Sequence, residues 1–230
     1  MTLVTVDDFE AAARARLPQF AYDYYRSGAD EEHTLARNRD AFARYEIWYR
    51  TLVDVACPLV ETTVLGATLA SPIAIAPTAY HCLACPDGEK ATARAAAAAN
   101  SLYCASTLAT TTLEDVAAAA PTGTRWFQLY VHKERAFTAG LIHRAKAAGY
   151  RAIAVTLDTP VLGRRCADVR NAFALPDGMV MANLVTFFRR ICEADQGRSW
   201  RASWLRDTTR PSRGRTSNGS RARHRRFPSW

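Results

Sequence analysis

Between residues 72 and 157, short apolar runs alternate with longer stretches in which apolar positions recur with a helical period. Four apolar runs predict strands, at 72–77, 102–106, 126–130 and 151–157. Three intervening stretches predict helices, at 87–100, 112–120 and 134–148. The predicted strands begin 24 to 30 residues apart, which is the length of one βα unit, and near-continuously apolar strands are typical of a parallel sheet covered by helices. The pattern therefore predicts an α/β fold.

The residues before this repeat predict two helices and a hairpin. Residues 5–16 are typical of an amphipathic helix with Thr5 as its N-cap. Pro18 can begin a second helix, which ends before Gly28. Two β-branched runs within residues 62–70 predict a hairpin.

Two architectures are compatible with the repeat: a doubly wound sheet and part of a (β/α)8 barrel. No G-x-G-x-x-G follows the first strand, which argues against a dinucleotide-binding unit. In a barrel, functional side chains lie at the carboxyl ends of the strands. Polar residues stand at or just after all four predicted strand ends: Thr78, Ser106, Thr107, Gln128, Tyr130, Thr156 and Asp158. One such residue is more often a helix cap than a functional group, but a set of this size on one rim indicates a site.

The composition is that of a globular protein, with 49% hydrophobic and 23% charged residues. No run approaches the roughly 18 apolar residues of a membrane span. The amino terminus is acidic and lacks the apolar region of a signal peptide, and the carboxy terminus carries no peroxisomal signal. We therefore expect a cytoplasmic protein that does not bind membranes.

The net charge of +8 is concentrated at one end of the chain. Residues 198–230 hold ten arginines and one acidic residue, Asp207, whereas residues 1–197 carry a net charge of −1. A globally basic domain that binds nucleic acid is excluded by this distribution, so nucleic acid is not the expected partner.

Six cysteines suit a reduced protein without a disulfide framework. The close pair Cys82 and Cys85, which His81 precedes, could be half of a zinc site or a redox dithiol. One such pair without a second ligand pair is weak evidence. We therefore expect Cys82 and Cys85 to be small loop residues that bind no metal.

At the predicted strand ends the chain resembles the FMN-dependent 2-hydroxy-acid oxidases and dehydrogenases, the family of glycolate oxidase and lactate oxidase. The resemblance covers residues 5–183 in order. Its motifs are YDYYRSGA at 22–29, LG at 65–66, APTA at 76–79, ASTLAT at 105–110, QLY at 128–130, TLDTPVLGRR at 156–165 and RNAFALP at 170–176. It implies a (β/α)8 TIM barrel of which residues 1–183 contain about the first four βα units.

The resemblance also implies FMN as cofactor and oxidation of an (S)-2-hydroxy acid, glycolate-like or lactate-like, to the 2-oxo acid. Hydrogen peroxide would form if oxygen is the electron acceptor, and complete members would be homo-oligomers. The backbone of Pro77, Thr78 and Ala79 would lie along the flavin. Three neutral side chains would hydrogen-bond the edge of its ring, the chemistry suited to a ring that accepts a hydride equivalent: Ser106, Gln128 and Thr156.

For the substrate, the resemblance implies that Tyr24 and Tyr130 face the carboxylate and the hydroxyl group, since a phenol both donates and accepts. Arg165 would add a charge-assisted contact to the carboxylate. Asp158 would stabilise a histidine base, and Leu108 would border the substrate side chain. Many oxidases of the family have tryptophan where Leu108 stands, which argues against a glycolate preference and permits bulkier hydroxy acids.

Several family motifs do not occur in the 230 residues: the flavin-contacting lysine, the catalytic Ser-Asn-His-Gly-x-Arg, and the Asp-Gly-Gly-x-Arg and Gly-Arg phosphate sites. Residues 184–230 lack apolar periodicity and are rich in arginine. We expect them to be a disordered tail from a truncated or frameshifted reading, and the chain as written to be inactive.

An alternative interpretation is a non-enzymatic remnant whose arginine-rich tail binds RNA. His132 and His143 are candidate substitutes for the missing base, although a surface position is the expectation for both.

Overall fold

The computed structural model describes residues 2–158 and 161–185. In this part of the chain the helices are α1 Val6–Arg16, α2 Gln19–Arg26, α3 His33–Asp40, α4 Gly88–Ala98, α5 Leu113–Ala119, α6 Arg135–Ala147 and α7 Cys166–Arg170. The strands are β1 Thr62–Val64, β2 Ala67–Leu69, β3 Ala74–Ile75, β4 Leu102–Ala105, β5 Thr124–Leu129 and β6 Ala152–Val155. The predicted tail, apart from its first two residues, lies outside the described residues.

The amino-terminal predictions are confirmed, and each has a local physical cause. Thr5 and Asp8 form a reciprocal capping box at the start of α1, which satisfies amides that have no partner within the helix. The hairpin of β1 and β2 turns at Leu65 and Gly66, whose φ angles are 44° and 76°. Two consecutive positive φ angles are those of a type I′ turn, whose twist matches that of the flanking strands.

A four-stranded parallel sheet in the order β3-β4-β5-β6 forms the centre of the fold. The predicted strand 72–77 shortens to the two residues of β3. Pro72 and Pro77 lack the N–H that a sheet ladder needs, so they cannot extend the strand in either direction. The other three strands lie within two residues of their predicted positions or inside them.

The helices α4, α5 and α6 alternate with the strands and pack around the sheet. Small side chains let α4 approach closely, since Ala93 and Ala96 are 2% exposed. Larger apolar side chains fill the space between the layers, and the largest of them are Tyr103, Phe127, Leu129, Leu113 and Leu141. Burial of each such side chain contributes about 1.5–3 kcal/mol to folding.

Two helices were not predicted. Helix α3 begins after Glu32, whose φ is 60°, and has no fully buried residue. Its sequence therefore lacks the apolar period from which a helix can be predicted. Helix α7 has only five residues. The segment after α7 returns across the strand ends, where the amide of Ala182 donates to the carbonyl of Ala109 at 3.0 Å and Leu184 is fully buried. None of the described helices is long and apolar enough to cross a membrane.

Candidate active site

Three neutral side chains are joined by hydrogen bonds at the carboxyl ends of β4, β5 and β6. The hydroxyl of Ser106 donates to Oε1 of Gln128 at 3.4 Å, and Nε2 of Gln128 donates to Oγ1 of Thr156 at 2.7 Å. Ser106 and Gln128 are 4% and 5% exposed. The parallel register aligns these strand ends. Ser106 and Gln128, 22 positions apart, and Gln128 and Thr156, 28 positions apart, therefore meet at one rim. The family resemblance assigned these three side chains to the edge of the flavin ring.

Thr107 fixes the rim on which these side chains lie. Its hydroxyl donates to the carbonyl of Gln128 at 2.6 Å and accepts from the amide of Tyr130 at 3.2 Å. Its own amide donates to Oε1 of Gln128 at 3.1 Å. The side chain of Gln128 thus has its acceptor and one donor engaged, which holds the amide group in one orientation.

The loop after β3, residues 76–82 (the β3 loop), meets the loop after β4, residues 106–112 (the β4 loop). The amide of Tyr80 donates to the carbonyl of Leu108 at 3.3 Å, and the amide of Leu108 donates to Oγ of Ser106 at 3.1 Å. Pro77 and Thr78 are exposed and Ala79 is half-buried. The half-buried Leu108 packs against the core. The β3 loop therefore presents its exposed backbone beside the rim residues.

Tyr24 and Arg165, 141 positions apart, are in contact. The carbon Cζ of Arg165 lies 4.7 Å from the centre of the Tyr24 ring. Nη2 of Arg165 donates to the carbonyl of Tyr24, and to the carbonyl and hydroxyl of Ser27 at 3.1 and 3.3 Å. These carbonyls belong to the last turn of α2, where a cation is favoured. Arg165 therefore caps α2 and stacks on its tyrosine.

An aromatic cluster supports the other face of Tyr24. Its ring stacks on Phe173 with centroids 4.6 Å apart and contacts Tyr80 at 5.3 Å. Through Tyr80 and Leu108 the contacts continue to Ser106, so Tyr24 and the flavin-edge residues belong to one connected region.

Tyr130 and Asp158 form the remaining predicted pair. Burial raises the pKa of the half-buried Tyr130, and the charge of Asp158 raises that pKa further. The two side chains are therefore within electrostatic reach, and the phenol of Tyr130 stays protonated at neutral pH and can donate. Asp158 is exposed at the rim.

The expectation for one histidine was wrong. His132 is 1% exposed: its amide donates to Oγ1 of Thr138 at 3.0 Å, and its ring packs edge-on against Phe137 at 5.0 Å. It follows β5 and turns beneath the start of α6, so the helix covers it. His143 is exposed, as expected.

Neither close cysteine belongs to a metal-binding group among residues 2–158 and 161–185, where no three His, Cys, Asp or Glu side chains are placed to hold an ion. Cys85 is exposed, and Cys82 is half-buried with its sulfur 3.9 Å from Oε2 of Glu89.

Glu89 and Asn183 are among the buried polar residues that the sequence analysis missed. Glu89 is 0% exposed, and its signal was its place on the apolar face of α4, four and seven positions before Ala93 and Ala96 in the helical period. Asn183 is 3% exposed, accepts from the amide of Leu113 at 3.0 Å and donates to the carbonyl of Thr111 at 3.2 Å. Nothing in the local sequence distinguishes Asn183 from a loop asparagine.

The donor set fits the edge of a flavin ring on chemical grounds. A flavin presents carbonyl oxygens and ring nitrogens, which need uncharged donors and acceptors fixed in direction. The second amide hydrogen of Gln128 and the hydroxyl hydrogen of Thr156, whose oxygen accepts from Gln128, supply such donors, and the linked geometry of Ser106, Gln128 and Thr156 fixes their directions.

Comparison with known proteins identifies the family of the chain. A family model described as FMN-dependent dehydrogenase matches residues 13–225. Glycolate oxidase of Spinacia oleracea is 49% identical over 183 residues, which are 80% of this chain and 49% of the relative. A mandelate oxidase bound to (S)-2-phenylpropionate superposes with a TM-score of 0.76 and 41% identity, over 79% of this chain and 54% of that one.

A structure of a Pediococcus acidilactici protein assigned as a lactate oxidase superposes with a TM-score of 0.78 and 34% identity, over 83% of this chain and 53% of that one. The chain thus spans about half the length of the relatives it matches. Its four parallel strands correspond to part of the TIM barrel found in these oxidases. The chain belongs to the family of FMN-dependent dehydrogenases.

Proposed function

We propose that this protein oxidises an (S)-2-hydroxy acid to the 2-oxo acid with FMN as cofactor, and that the described residues form the half of the site that contacts the ring and part of the substrate. The observation that carries the proposal is the hydrogen-bonded series of Ser106, Gln128 and Thr156 on one rim. The relatives named glycolate, mandelate and lactate oxidases support the substrate class.

FMN would supply the capacity to accept two electrons from the substrate, with release as hydrogen peroxide where oxygen is the acceptor. The chain's own residues would bind and orient the flavin ring and the substrate. Gln128 and Thr156 would donate to the polar edge of the ring, and the backbone of residues 77–79 would lie along it. Because these contacts are uncharged, they leave the ring neutral before it accepts electrons.

The substrate carboxylate would be held by Tyr24 and Arg165. The contacts with α2 fix Nη2 of Arg165, and its Nε lies 3.5 Å from Oδ2 of Asp168, so we assign Nη1 to a carboxylate oxygen. The ring of Tyr24, 4.7 Å from Cζ, restrains the guanidinium further. A planar group that is fixed in this way loses little conformational freedom when it binds the carboxylate.

Tyr130 would donate a hydrogen bond to the substrate oxygen that becomes the carbonyl, since its raised pKa keeps the phenol protonated. Asp158 would stabilise a cationic base beside the substrate. The family's Ser-Asn-His-Gly motif, which would supply that base, does not occur in the 230 residues. We therefore propose that the chain as printed does not turn over.

A fusion tests this proposal. Residues 1–183 would be joined to the carboxy-terminal half of spinach glycolate oxidase, the relative with 49% identity, and reduction of the bound flavin would be followed without oxygen. We expect lactate or mandelate to reduce the flavin, with Tyr130→Phe and Asp158→Asn slowing reduction by about 10²-fold or more. A fusion that binds flavin but is reduced by no 2-hydroxy acid would contradict the proposal.

Leu108 would set the size of the accepted side chain. Leu108→Trp in the same fusion should shift the preference from mandelate toward glycolate by about tenfold or more, because a larger side chain fills the space beside the substrate. An unchanged ratio of the two rates would remove Leu108 from the substrate pocket.

A further inference from the structure

Helix α4 carries a carboxylate that water does not reach. Glu89 lies in the first turn of α4 and is 0% exposed. An exposed carboxylate in this position would only favour the helix dipole. A buried carboxylate costs free energy unless several hydrogen-bond donors compensate for its lost hydration. Its hydrogen-bond partners therefore indicate its role.

The partners of Glu89 come from both loops of the candidate site. Its Oε1 accepts from the amide of His81 at 3.1 Å, next to the β3 loop's exposed backbone, and from the amide of Thr110 at 2.8 Å, in the β4 loop. Its Oε2 accepts from the hydroxyls of Thr110 and Thr111, each at 2.8 Å. One carboxylate therefore joins two loops that are about 30 residues apart in sequence.

The β3 loop needs such a restraint because of its backbone conformation. Tyr80 has φ of 61°, which is unfavourable for a residue other than glycine and persists only when its surroundings hold it. Its peptide groups are held on every side. The amide of Tyr80 bonds Leu108, its carbonyl accepts from the hydroxyl of Tyr25 at 2.6 Å, and the next amide bonds Glu89.

We propose that Glu89 is a positioning residue for the flavin site. It holds the β3 loop against the β4 loop, so that the backbone of Pro77, Thr78 and Ala79 stays at the distance from Ser106 that a flavin ring requires. This inference rests on the proposed function for its ligand, but the restraint itself belongs to the flavin-free chain.

The charge state of Glu89 suits this role. Burial by itself would raise the pKa of Glu89, but hydrogen bonds from Thr110 and Thr111 outweigh that effect and hold the pKa below the ordinary value. The titratable groups around it are Tyr25, His81, Cys82 and Tyr103. An ionised carboxylate accepts stronger hydrogen bonds than a neutral group, which suits a joint that fixes two backbone segments.

Hydrogen–deuterium exchange on the flavin-free chain tests the restraint. Glu89→Leu keeps the bulk but leaves the amides of His81 and Thr110 without their acceptor, so residues 76–83 and 106–112 should exchange about tenfold faster or more. Glu89→Gln keeps one oxygen facing both amides and should rescue most of the protection. Leu141→Ala is the matched control, because it opens a cavity in the core on α6 and should not selectively expose the two loops.

If Glu89→Leu does not fold, Thr111→Val tests the same carboxylate more mildly, since it removes a hydroxyl that donates to Oε2 of Glu89 and leaves the separate bond from the amide of Cys82 to Thr110 in place. Riboflavin binding, measured by the quenching of riboflavin fluorescence, gives a second readout. A loss of stability alone would not change this affinity. Glu89→Leu should weaken binding about tenfold while Leu141→Ala, under conditions where it is folded, leaves it unchanged.

Equal exchange in Glu89→Leu and the wild-type chain, or equal loss of riboflavin affinity in Glu89→Leu and Leu141→Ala, would overturn the inference. Absence of riboflavin binding by the wild-type chain would instead contradict the proposed function, whereas the exchange measurement decides on Glu89 without flavin.

Discussion

At the scale of single residues, the candidate site depends on side chains that satisfy one another before any ligand arrives. Gln128 accepts from Ser106 and from the amide of Thr107, and donates to Thr156. A buried amide with these partners is held in one rotamer, so binding a flavin would cost little further ordering. The same connectivity makes Gln128 important for stability.

Replacing Gln128 with leucine should therefore lower both stability and flavin affinity. The buried amide of Thr107 and hydroxyl of Thr156 lose a partner, which costs about 1–3 kcal/mol of unfolding free energy. Thermal or urea unfolding measures the loss. Gln19→Leu is the control, because Gln19 is exposed and its side chain donates to Asp23, one turn later in α2. This substitution should change stability by less than about 0.5 kcal/mol.

Glu89 predicts how stability varies with pH. Its folded pKa lies below the ordinary glutamate value of 4.5, so the unfolded chain takes up the proton first as the pH falls. The contribution of its charge is present above about pH 4.5 and disappears as the pH falls through the lower folded pKa. Urea unfolding of the wild-type chain and Glu89→Gln should show a stability difference that shrinks below pH 4.5. A difference that grows in acid would contradict this sign.

At the scale of elements, the sequence predicted what depends on local chemistry. Capping by Thr5, the turn at Gly66 and the apolar period of the three barrel helices each leave a mark within a few residues. Helix α3 could not be predicted because Leu35 is its only large apolar residue, and no side chain of the helix is fully buried. The burial of His132 could not be predicted either, because it depends on how the first turn of α6 packs over the residue, through Phe137 and Thr138.

Site residues were predicted in position but not in their partners. The ends of parallel strands meet at one rim, so Ser106, Gln128 and Thr156 could be grouped from the strand pattern together with the family resemblance. The contact between Tyr24 and Arg165 spans 141 residues and depends on how α2 packs against the segment before α7. No local pattern encodes such a distance.

The start of α4 contains a glycine that cannot be replaced without strain. Gly88 has φ of 44°, and an added Cβ would lie 2.5 Å from the sulfur of Cys82. Gly88→Ala should therefore cost roughly 2 kcal/mol or more. Gly140 lies within α6 with open space around its Cα, so Gly140→Ala should instead stabilise the chain by about 0.5–1 kcal/mol. Thermal unfolding compares the pair, and a Gly88→Ala melting temperature equal to the wild type would show that the clash relaxes freely.

At the scale of the whole molecule, the described residues leave much apolar surface in water. Strands β3 and β6 are the edges of the sheet in the part of the chain that the structure describes. Leu157 is 82% exposed, and in the segment 45–60 Trp48 and Tyr49 are 88% and Leu59 is 95% exposed. Open sheet edges and many exposed apolar side chains favour association.

We therefore expect the 230-residue chain to self-associate when it is purified alone. Size-exclusion chromatography with light scattering should show species larger than the 25.4 kDa monomer, increasing with concentration. Trp48→Lys should reduce association, because it places a charge within the apolar segment, whereas Lys133→Arg, at an exposed position, should not. A monodisperse monomer with a sharp unfolding transition would show that this surface is covered.

We propose that the described residues form the ring-binding half of a flavin site. The most direct test is titration of the 230-residue chain with riboflavin and with FMN, measured by flavin fluorescence. Uncharged ring contacts are present, but the family's phosphate motifs do not occur in the sequence. We expect weak binding with affinities for the two flavins within about threefold of each other, lost in Gln128→Leu. Binding that favours FMN by about 100-fold, or that is unchanged in Gln128→Leu, would contradict the account.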